Sequence, residues 1–323
     1  MGRRRQDLER RDLPVIRSSI SRAVRVAGLF ALLGASGSAA LARDLGDADT
    51  LTLLYSAETR GNLEPCACPD KPWGGLARRV AFLQGRAALA ADIGAPLLVL
   101  DVGGFLPDGT VPLRDDPEVA REYLRLLLDG LSASRLDAVG LDRGERAFLS
   151  DATPDRFRAL EASWLASGAA GAARVFPWGD HTVVVFSADE IETDTQLRAA
   201  AARARGVAAG GRAPYLVLLA RADAVSGRRL ARETGADLVL LARGTRPRAP
   251  LHEGASILLG CGAHGKELGE ARLVRRGATV ELLSHVLHPM DATVAEEPAI
   301  GRRVEELLAR DGVLLRAMQT TAE

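Results

Sequence analysis

The chain has 323 residues, of which 47% are hydrophobic and 26% charged, as is usual for a soluble globular protein of one large or two small domains. The 42 basic residues balance the 42 acidic ones, so the full chain carries no formal net charge. It therefore lacks the excess of basic residues that is typical of nucleic-acid-binding proteins, and we predict no nucleic-acid partner.

The first 42 residues are predicted to be an export signal. Eight arginines precede a short apolar stretch at 26–33, and Ala40-Leu41-Ala42 has the A-x-A pattern of a signal-peptidase site. The stretch is too short to span a bilayer comfortably, although an uncleaved anchor is the alternative. Without the leader, 34 basic and 39 acidic residues remain, a net charge of −5. We expect a periplasmic protein with no membrane association after cleavage, in a compartment that permits disulfides.

From residue 43 to about residue 319, short apolar runs alternate with amphipathic segments, which predicts a single α/β domain followed by a tail at 320–323. The predicted strands are 51–55, 97–100, 136–139, 183–186, 215–219 and 238–241. The predicted helices are 76–91, one opened by Asp116-Pro117, 155–165, 195–205 and 224–234. The C-terminal part does not alternate in this way. It has adjoining predicted strands at 256–259, 270–274 and 279–283, followed by a closing helix at 300–314.

The segment 56–68, directly after the first predicted strand, reads S-A-E-T-R-G-N-L-E-P-C-A-C. It is similar to the first metal-binding motif of the metallophosphoesterases, D-x-H-G-x-L-E, which stands at the same strand end. Residues 74–79, G-G-L-A-R-R, match the stretch that opens the first helix in the 5′-nucleotidases of that superfamily. The segments that resemble later motifs, in the same order, are 98–104, 136–145, 218–221, 236–247 and 265–269. The chain thus resembles the N-terminal domain of periplasmic 5′-nucleotidases as far as about residue 308.

This resemblance implies a four-layer α/β/β/α sandwich and an ancestry among hydrolases of phosphoric esters. Family members hold two divalent metals with His, Asp and Asn, and these metals activate water and bind the phosphoryl group. In this chain most of the ligand positions differ. They are Glu58 (Asp in the family), Arg60 (His), Gly104 (the bridging Asp), Arg143 (Asn), Gly144 (His) and Arg221 (His). A further family segment, at 242–246, contains no His.

The changed positions predict that the two-metal site is lost. Arginine stays protonated and cannot ligate a cation, and glycine has no side-chain ligand. We therefore expect no cofactor, although the family would use two divalent metals. A regrouped metal site at His285 and His288 is one alternative, and a genuine metal-dependent hydrolase with unusual ligands is another.

Four arginines could line the cleft in which family members hold their metals: Arg60, Arg143, Arg221 and Arg243. A basic cleft of this kind would bind a small anion or another protein without hydrolysis. The alternative is that each arginine is paired with a neighbouring acid, such as Glu58, Asp101 or Asp142. In that arrangement the cleft would retain little charge for a ligand.

The cysteines are Cys66, Cys68 and Cys261. Two cysteines as close as Cys66 and Cys68 can form a strained, easily reduced disulfide or bind a soft metal ion. The segment L-E-P-C-A-C is similar to an exported branch of 5′-nucleotidase-like proteins with cysteine or selenocysteine there. That resemblance implies redox chemistry at Cys66 and Cys68 in place of hydrolysis. From the residues themselves we predict that Cys261, which follows a strand, is the resolving thiol or third ligand and that Arg60 stabilises a thiolate. A periplasmic redox protein would then be the partner. A disulfide that only staples a loop is the alternative.

Overall fold

The computed structural model describes residues 49–66, 72–106, 117–167, 173–208, 213–243, 247–276 and 279–320, without the side chains of Ala162 and of residues 312–320. The segment Leu45–Glu323 forms one compact unit. The predicted signal at 1–42, Cys68 and residues 321–323 of the predicted tail lie outside the described residues, whereas Thr320 is the last residue of a helix. Within them, every helix is too short or too polar to cross a membrane.

One sheet is built from the first and last strands of the described chain. These strands are β1 (Thr50–Ser56), β2 (Leu97–Asp101), β3 (Ala138–Leu141), β4 (Trp164–Ala166), β11 (Glu267–Arg276) and β12 (Thr279–Pro289). Their order in the sheet is β12-β11-β1-β2-β3-β4. The strands from β1 to β4 are parallel, whereas β11 and β12 are antiparallel to their neighbours.

A second sheet is built from the middle of the chain. Its strands are β5 (Arg174–Trp178), β6 (His181–Asp189), β7 (Tyr215–Arg221), β8 (Leu238–Leu241), β9 (Leu251–Glu253) and β10 (Ser256–Gly260). Their order is β5-β6-β7-β8-β10-β9. The four central strands are parallel, and the antiparallel strands β5 and β9 lie at the edges.

The helices cover the outer face of each sheet. They are α1 (Leu76–Ile93), α2 (Pro117–Ala133), α3 (Arg143–Ala152), α4 (Pro154–Ala159), α5 (Asp194–Gly206), α6 (Ala224–Thr234) and α7 (Pro298–Thr320), with one 3₁₀ turn at Glu161–Ser163. Apolar side chains of α1, α2 and α7 share a core with outward-facing residues of the first sheet. Apolar side chains of α5 and α6 do the same on the second sheet.

The inner faces of the two sheets pack against each other because successive strand residues point to opposite faces. In β1, Leu53 belongs to the core between the sheets and Leu54 to the core under the helices. Leu53 shares its core with Val185 of β6 and Leu219 of β7. The result is a four-layer α/β/β/α sandwich, and this expectation is confirmed.

The predicted helix at 155–165 is wrong in its second half. Helix α4 ends at Ala159, and Trp164 begins β4, which extends the parallel sheet by pairing with Val139 of β3. The Trp164 indole N–H donates to the Phe157 carbonyl at 2.9 Å, and its side chain is buried. Pairing with β3 and burial therefore override the local helical pattern. The sequence patterns also left α3 and the short edge strands β5 and β9 unpredicted.

Candidate functional site

Residues that follow parallel strands of both sheets meet at one edge of the sandwich. In open α/β sheets, this carboxyl edge is where ligands usually bind. The first sheet contributes the segments after β1, β2 and β3, and the second contributes the ends of β6 and β7. Contacts between Arg221 of β7 and the residues after β3 join the two sheets there.

Arg221 lies at the centre of this edge, and its side chain is only 7% exposed. Its Nη2 is 2.8 Å from Asp142 Oδ2, and its Nη1 donates a short hydrogen bond to Glu145 Oε2. Its Nε is 3.7 Å from Asp189 Oδ2. One guanidinium thus contacts three carboxylates, of which Asp142 and Glu145 follow β3 of the first sheet and Asp189 ends β6 of the second.

Local helix chemistry positions two of these carboxylates. Asp142 is the N-cap of α3, and its Oδ1 accepts a hydrogen bond of 2.7 Å from the Glu145 backbone N–H. Glu145 in turn accepts from the Asp142 backbone N–H, which completes a capping box. Burial raises the pKa of Glu145 to about 7, although Arg221 opposes this shift.

The raised pKa of Glu145 predicts a pH dependence of stability. Its pKa of about 7 in the folded protein lies above the ordinary value of 4.5, so folding takes up a proton between these values. The free energy of unfolding should therefore fall as the pH rises from about 4.5 to about 7. Glu145→Gln cannot ionise and should lose this part of the slope in urea unfolding, whereas the exposed control Glu306→Gln should keep it. An unchanged slope in Glu145→Gln would show that Glu145 is already ionised across this range.

The segment after β1 folds tightly onto the segment after β2. The backbone N–H groups of Glu58 and Arg60 donate to the carbonyls of Gly103 and Gly104, at 2.8 and 2.9 Å. Glu58 and Arg60 both have left-handed backbone angles, with φ of 49° and 48°. A Cβ on Gly104 would lie 2.8 Å from Glu58 Cδ. The Glu58 carboxyl group therefore fills the space into which a side chain at position 104 would point.

Asp101, at the end of β2, is completely buried beneath this contact. It accepts hydrogen bonds from Ser56 Oγ at 2.6 Å and from the Gly103 N–H at 2.9 Å, and its Oδ2 is 3.7 Å from Arg79 Nη1. Burial raises the pKa of Asp101, while Arg79 and the two hydrogen bonds lower it. These contacts tie the ends of β1 and β2 to α1.

Three of the four arginines predicted to line an anion cleft are ion-paired. Besides Arg221, Arg60 Nε is 3.0 Å from Glu58 Oε2, and Arg243 Nη1 is 3.1 Å from Glu190 Oε1. Arg143 is the first residue of α3, precedes Gly144 and is exposed. Pairing with neighbouring acids is the sequence-based alternative to a basic cleft. The pairs of Arg60 with Glu58 and of Arg221 with Asp142 agree with that alternative.

The thiols occupy two different environments. Cys66 is half-buried, its backbone N–H donates to the Trp73 carbonyl at 2.9 Å, and the preceding Pro65 forms a β-bridge with Gly74. Cys261 follows β10 and is buried in the core between the sheets, with 3% exposure. These two cysteines are not bonded to each other. The predicted partner of Cys66, Cys68, lies outside the described residues.

The two histidines of the alternative metal site do not converge. His285 Nε2 is 2.8 Å from Tyr55 Oη, and His288 Nε2 is 2.9 Å from Glu270 Oε2. They are three residues apart on β12 and so point to opposite faces of the sheet. In the described part of the chain, no three His, Cys, Asp or Glu side chains are grouped so that they could hold a metal ion.

Sequence reasoning missed Asp189 and Glu190, the partners of Arg221 and Arg243. The predicted strand at 183–186 ended before them, whereas β6 continues to Asp189. Their position at the carboxyl end of a parallel strand beside β7 is the signal that could have identified them.

This fold is similar to those of several solved structures. No protein-family model matches the chain, and no curated protein does. Among solved structures, the sulfate thiohydrolase SoxB of Thermus thermophilus has a TM-score of 0.63 at 15% identity over 80% of this chain. A 5′-nucleotidase precursor, also of Thermus thermophilus, has a TM-score of 0.59 at 18% identity over 82% of it. In both cases this chain covers 60% of the other protein's length.

A third similar structure is the calcineurin-like phosphoesterase YfkN of Bacillus subtilis, with a TM-score of 0.55 at 13% identity. The alignment covers 84% of this chain and 99% of that one. The chain therefore has the metallophosphoesterase fold. Its sandwich is similar to the corresponding part of the 5′-nucleotidases, which confirms at the level of the fold the resemblance seen in the sequence motifs.

Proposed function

We propose that this protein is an exported member of the phosphoesterase-fold group that does not hydrolyse phosphoesters by the two-metal route, and that it acts through the thiols of Cys66 and Cys68. The first half of this proposal is carried by one observation. The guanidinium of Arg221, at a position where the family has a metal-binding His, is bonded to Asp142 and Glu145.

The residues at this edge do not fit two divalent metals. The carboxylates best placed to ligate a cation, Asp142, Glu145 and Asp189, face the fixed positive charge of Arg221. A metal ion among them would be repelled by a group that cannot lose its proton. Glu58 fills the space at Gly104, where the family has its bridging Asp.

Metal titration tests this half of the proposal. Metal-free protein, with its thiols blocked by iodoacetamide so that cysteine cannot bind Zn²⁺, is titrated with Mn²⁺ and with Zn²⁺ by calorimetry. We expect no saturable binding near one or two equivalents. Stoichiometric binding of Mn²⁺ would contradict the loss of the site.

The second half of the proposal concerns the thiol pair. Cys66 directly follows Pro65, whose bridge to Gly74 brings the two ends of the segment 65–74 together. Its half-exposed position suits a thiol that reacts with a partner, whereas the buried Cys261 would need a local opening to do so. Arg60 is proposed to stabilise a thiolate here, in addition to its pair with Glu58.

Redox titration of the native protein tests the thiol proposal. The protein is equilibrated in glutathione buffers of graded potential, and each cysteine is quantified by alkylation and mass spectrometry. We expect Cys66 and Cys68 to exchange reversibly, at a potential less negative than about −300 mV, the limit typical of structural disulfides. The substitutions Cys66→Ser and Cys68→Ser should each abolish the reversible exchange. If Cys261→Ser also abolishes it, Cys261 is the resolving thiol. Cysteines that exchange only after unfolding would identify a structural staple and contradict the proposal.

A further inference from the structure

A groove of about 400 Å³ lies beside the segment that carries Cys66. One wall is formed by residues 63–65, a second by the start of α1, and the third by one face of α7. The side chains of Leu63, Ala77, Val304 and Leu308 in its lining are each buried to 9% exposure or less. The volume lies within the range of pockets that bind ligands, and the apolar residues suit an apolar side chain.

The rim of the groove is acidic. It carries Glu296 and Glu305, and among the described residues that line the groove Arg78 is the one cation. The Arg78 guanidinium is already held by Glu296 at 3.2 Å and by the Pro72 carbonyl at 2.7 Å. The rim therefore keeps negative charge that favours a cationic ligand over an anionic one.

The groove lies directly beside the segment that contains Cys66. Pro65 lines it and directly precedes Cys66, and the Cys66 backbone N–H donates to the Trp73 carbonyl at 2.9 Å. A chain that lies in the groove therefore runs next to the Cys66 segment. The apolar residues, the acidic rim and this proximity together define one kind of occupant.

We propose that this groove binds an extended segment of a partner protein in which a large apolar side chain is flanked by Arg or Lys. The segment places its apolar side chain over Val304 and Leu308 and its cations at Glu296 and Glu305. The inference rests on the proposed thiol function for its purpose, which is to bring a redox partner to Cys66. The binding itself is a separate property that can be measured without thiol chemistry.

Gly301 of α7 provides a precise test. A Cβ at this position would meet only Glu296 Oε2 at 3.7 Å and Ala77 Cβ at 3.8 Å, which are ordinary contacts. Gly301→Leu should therefore fold normally, because leucine favours a helix more than glycine does, and its side chain should occupy the groove. Gly85→Leu on α1 is the matched control, since Gly85 is exposed and a Cβ there has no neighbour within 4 Å.

The probes are two fluorescein-labelled peptides, acetyl-Arg-Leu-Phe-Arg-amide and acetyl-Glu-Leu-Phe-Glu-amide, and binding is followed by fluorescence anisotropy. We expect the wild type and Gly85→Leu to bind the basic peptide about tenfold or more tightly than the acidic one. Gly301→Leu should weaken binding of the basic peptide by about tenfold or more. Glu305→Gln should weaken it less, by a factor of about three.

Two results overturn the inference: wild-type protein that does not prefer the basic peptide, or Gly301→Leu that binds it as tightly as the wild type. The second result would indicate general attraction of a cationic peptide to an acidic protein, because Gly301→Leu changes no charge. Cys66→Ser should bind the basic peptide like the wild type. If the thiols do not exchange but the basic peptide binds as expected, only the thiol function is rejected. If the thiols exchange but the basic peptide does not bind in the groove, only the groove proposal is rejected.

Discussion

Replacement of Arg221 by methionine should lower the free energy of unfolding by about 3–5 kcal/mol, the usual cost of removing one partner from a buried ion pair. Methionine keeps much of the volume of the side chain but leaves Asp142, Glu145 and Asp189 facing one another without a cation. The loss should be smaller at about pH 5 than at about pH 8, because Glu145, with a pKa of about 7, is then protonated. Urea unfolding at the two pH values measures both effects.

The matched control for this variant is Arg158→Met. Arg158 also pairs with a carboxylate, Asp155, but the two side chains are 69% and 88% exposed. Its loss should change the free energy of unfolding by no more than about 0.5 kcal/mol. Equal effects of the two substitutions, or a loss in Arg221→Met that does not depend on pH, would show that Arg221 does not hold the carboxylates together.

Gly104→Ala should destabilise the fold by about 2–4 kcal/mol. The new Cβ would overlap the Glu58 carboxyl group, and overpacking typically costs about 1–3 kcal/mol. Gly104 also has a φ of 73°, and alanine in such a left-handed conformation costs about 1 kcal/mol more. The measurement is again the free energy of unfolding in urea.

Gly94→Ala separates the two contributions. Gly94 has a φ of 66°, but a Cβ there has no neighbour within 4 Å, so this variant should lose only about 1 kcal/mol. Adding Glu58→Gly to Gly104→Ala removes the obstructing carboxyl group, and the double variant should lose at least about 1 kcal/mol less than the sum of the two single variants. Additive effects would mean that Glu58 does not occupy the space at position 104.

The alternation of strands and helices could be predicted from the sequence because its signals are local, whereas the four-layer sandwich was implied only by the resemblance to the metallophosphoesterases. Apolar runs such as 215–219 alternate with amphipathic segments such as 224–234, and the order of the motifs places each loop at a strand end. Strand β4 could not be predicted in this way. Trp164 follows a helical pattern and becomes a strand only because β3 offers an unpaired edge to which it hydrogen-bonds.

The candidate site was only partly predictable for a related reason. The changed residue types at Arg221 and Gly104 are visible in the sequence, and they predict that neither position can ligate a metal. Their partners are not visible, because Glu145 lies 76 residues from Arg221 and reaches it only when the two sheets pack together. The capping box that aims Glu145 at Arg221 has a local signature, but the target of that side chain is set by the tertiary structure.

The central claim is that this phosphoesterase fold does not hydrolyse phosphoesters by the two-metal route. The most direct test incubates the protein from residue 43 onward, oxidised and reduced, with Mn²⁺ or Zn²⁺ and a panel of 5′-nucleotides and phosphodiesters, and follows phosphate release. We predict no metal-dependent turnover in either redox state. Robust turnover that a chelator abolishes would contradict the claim and would mean that another set of side chains holds the metals.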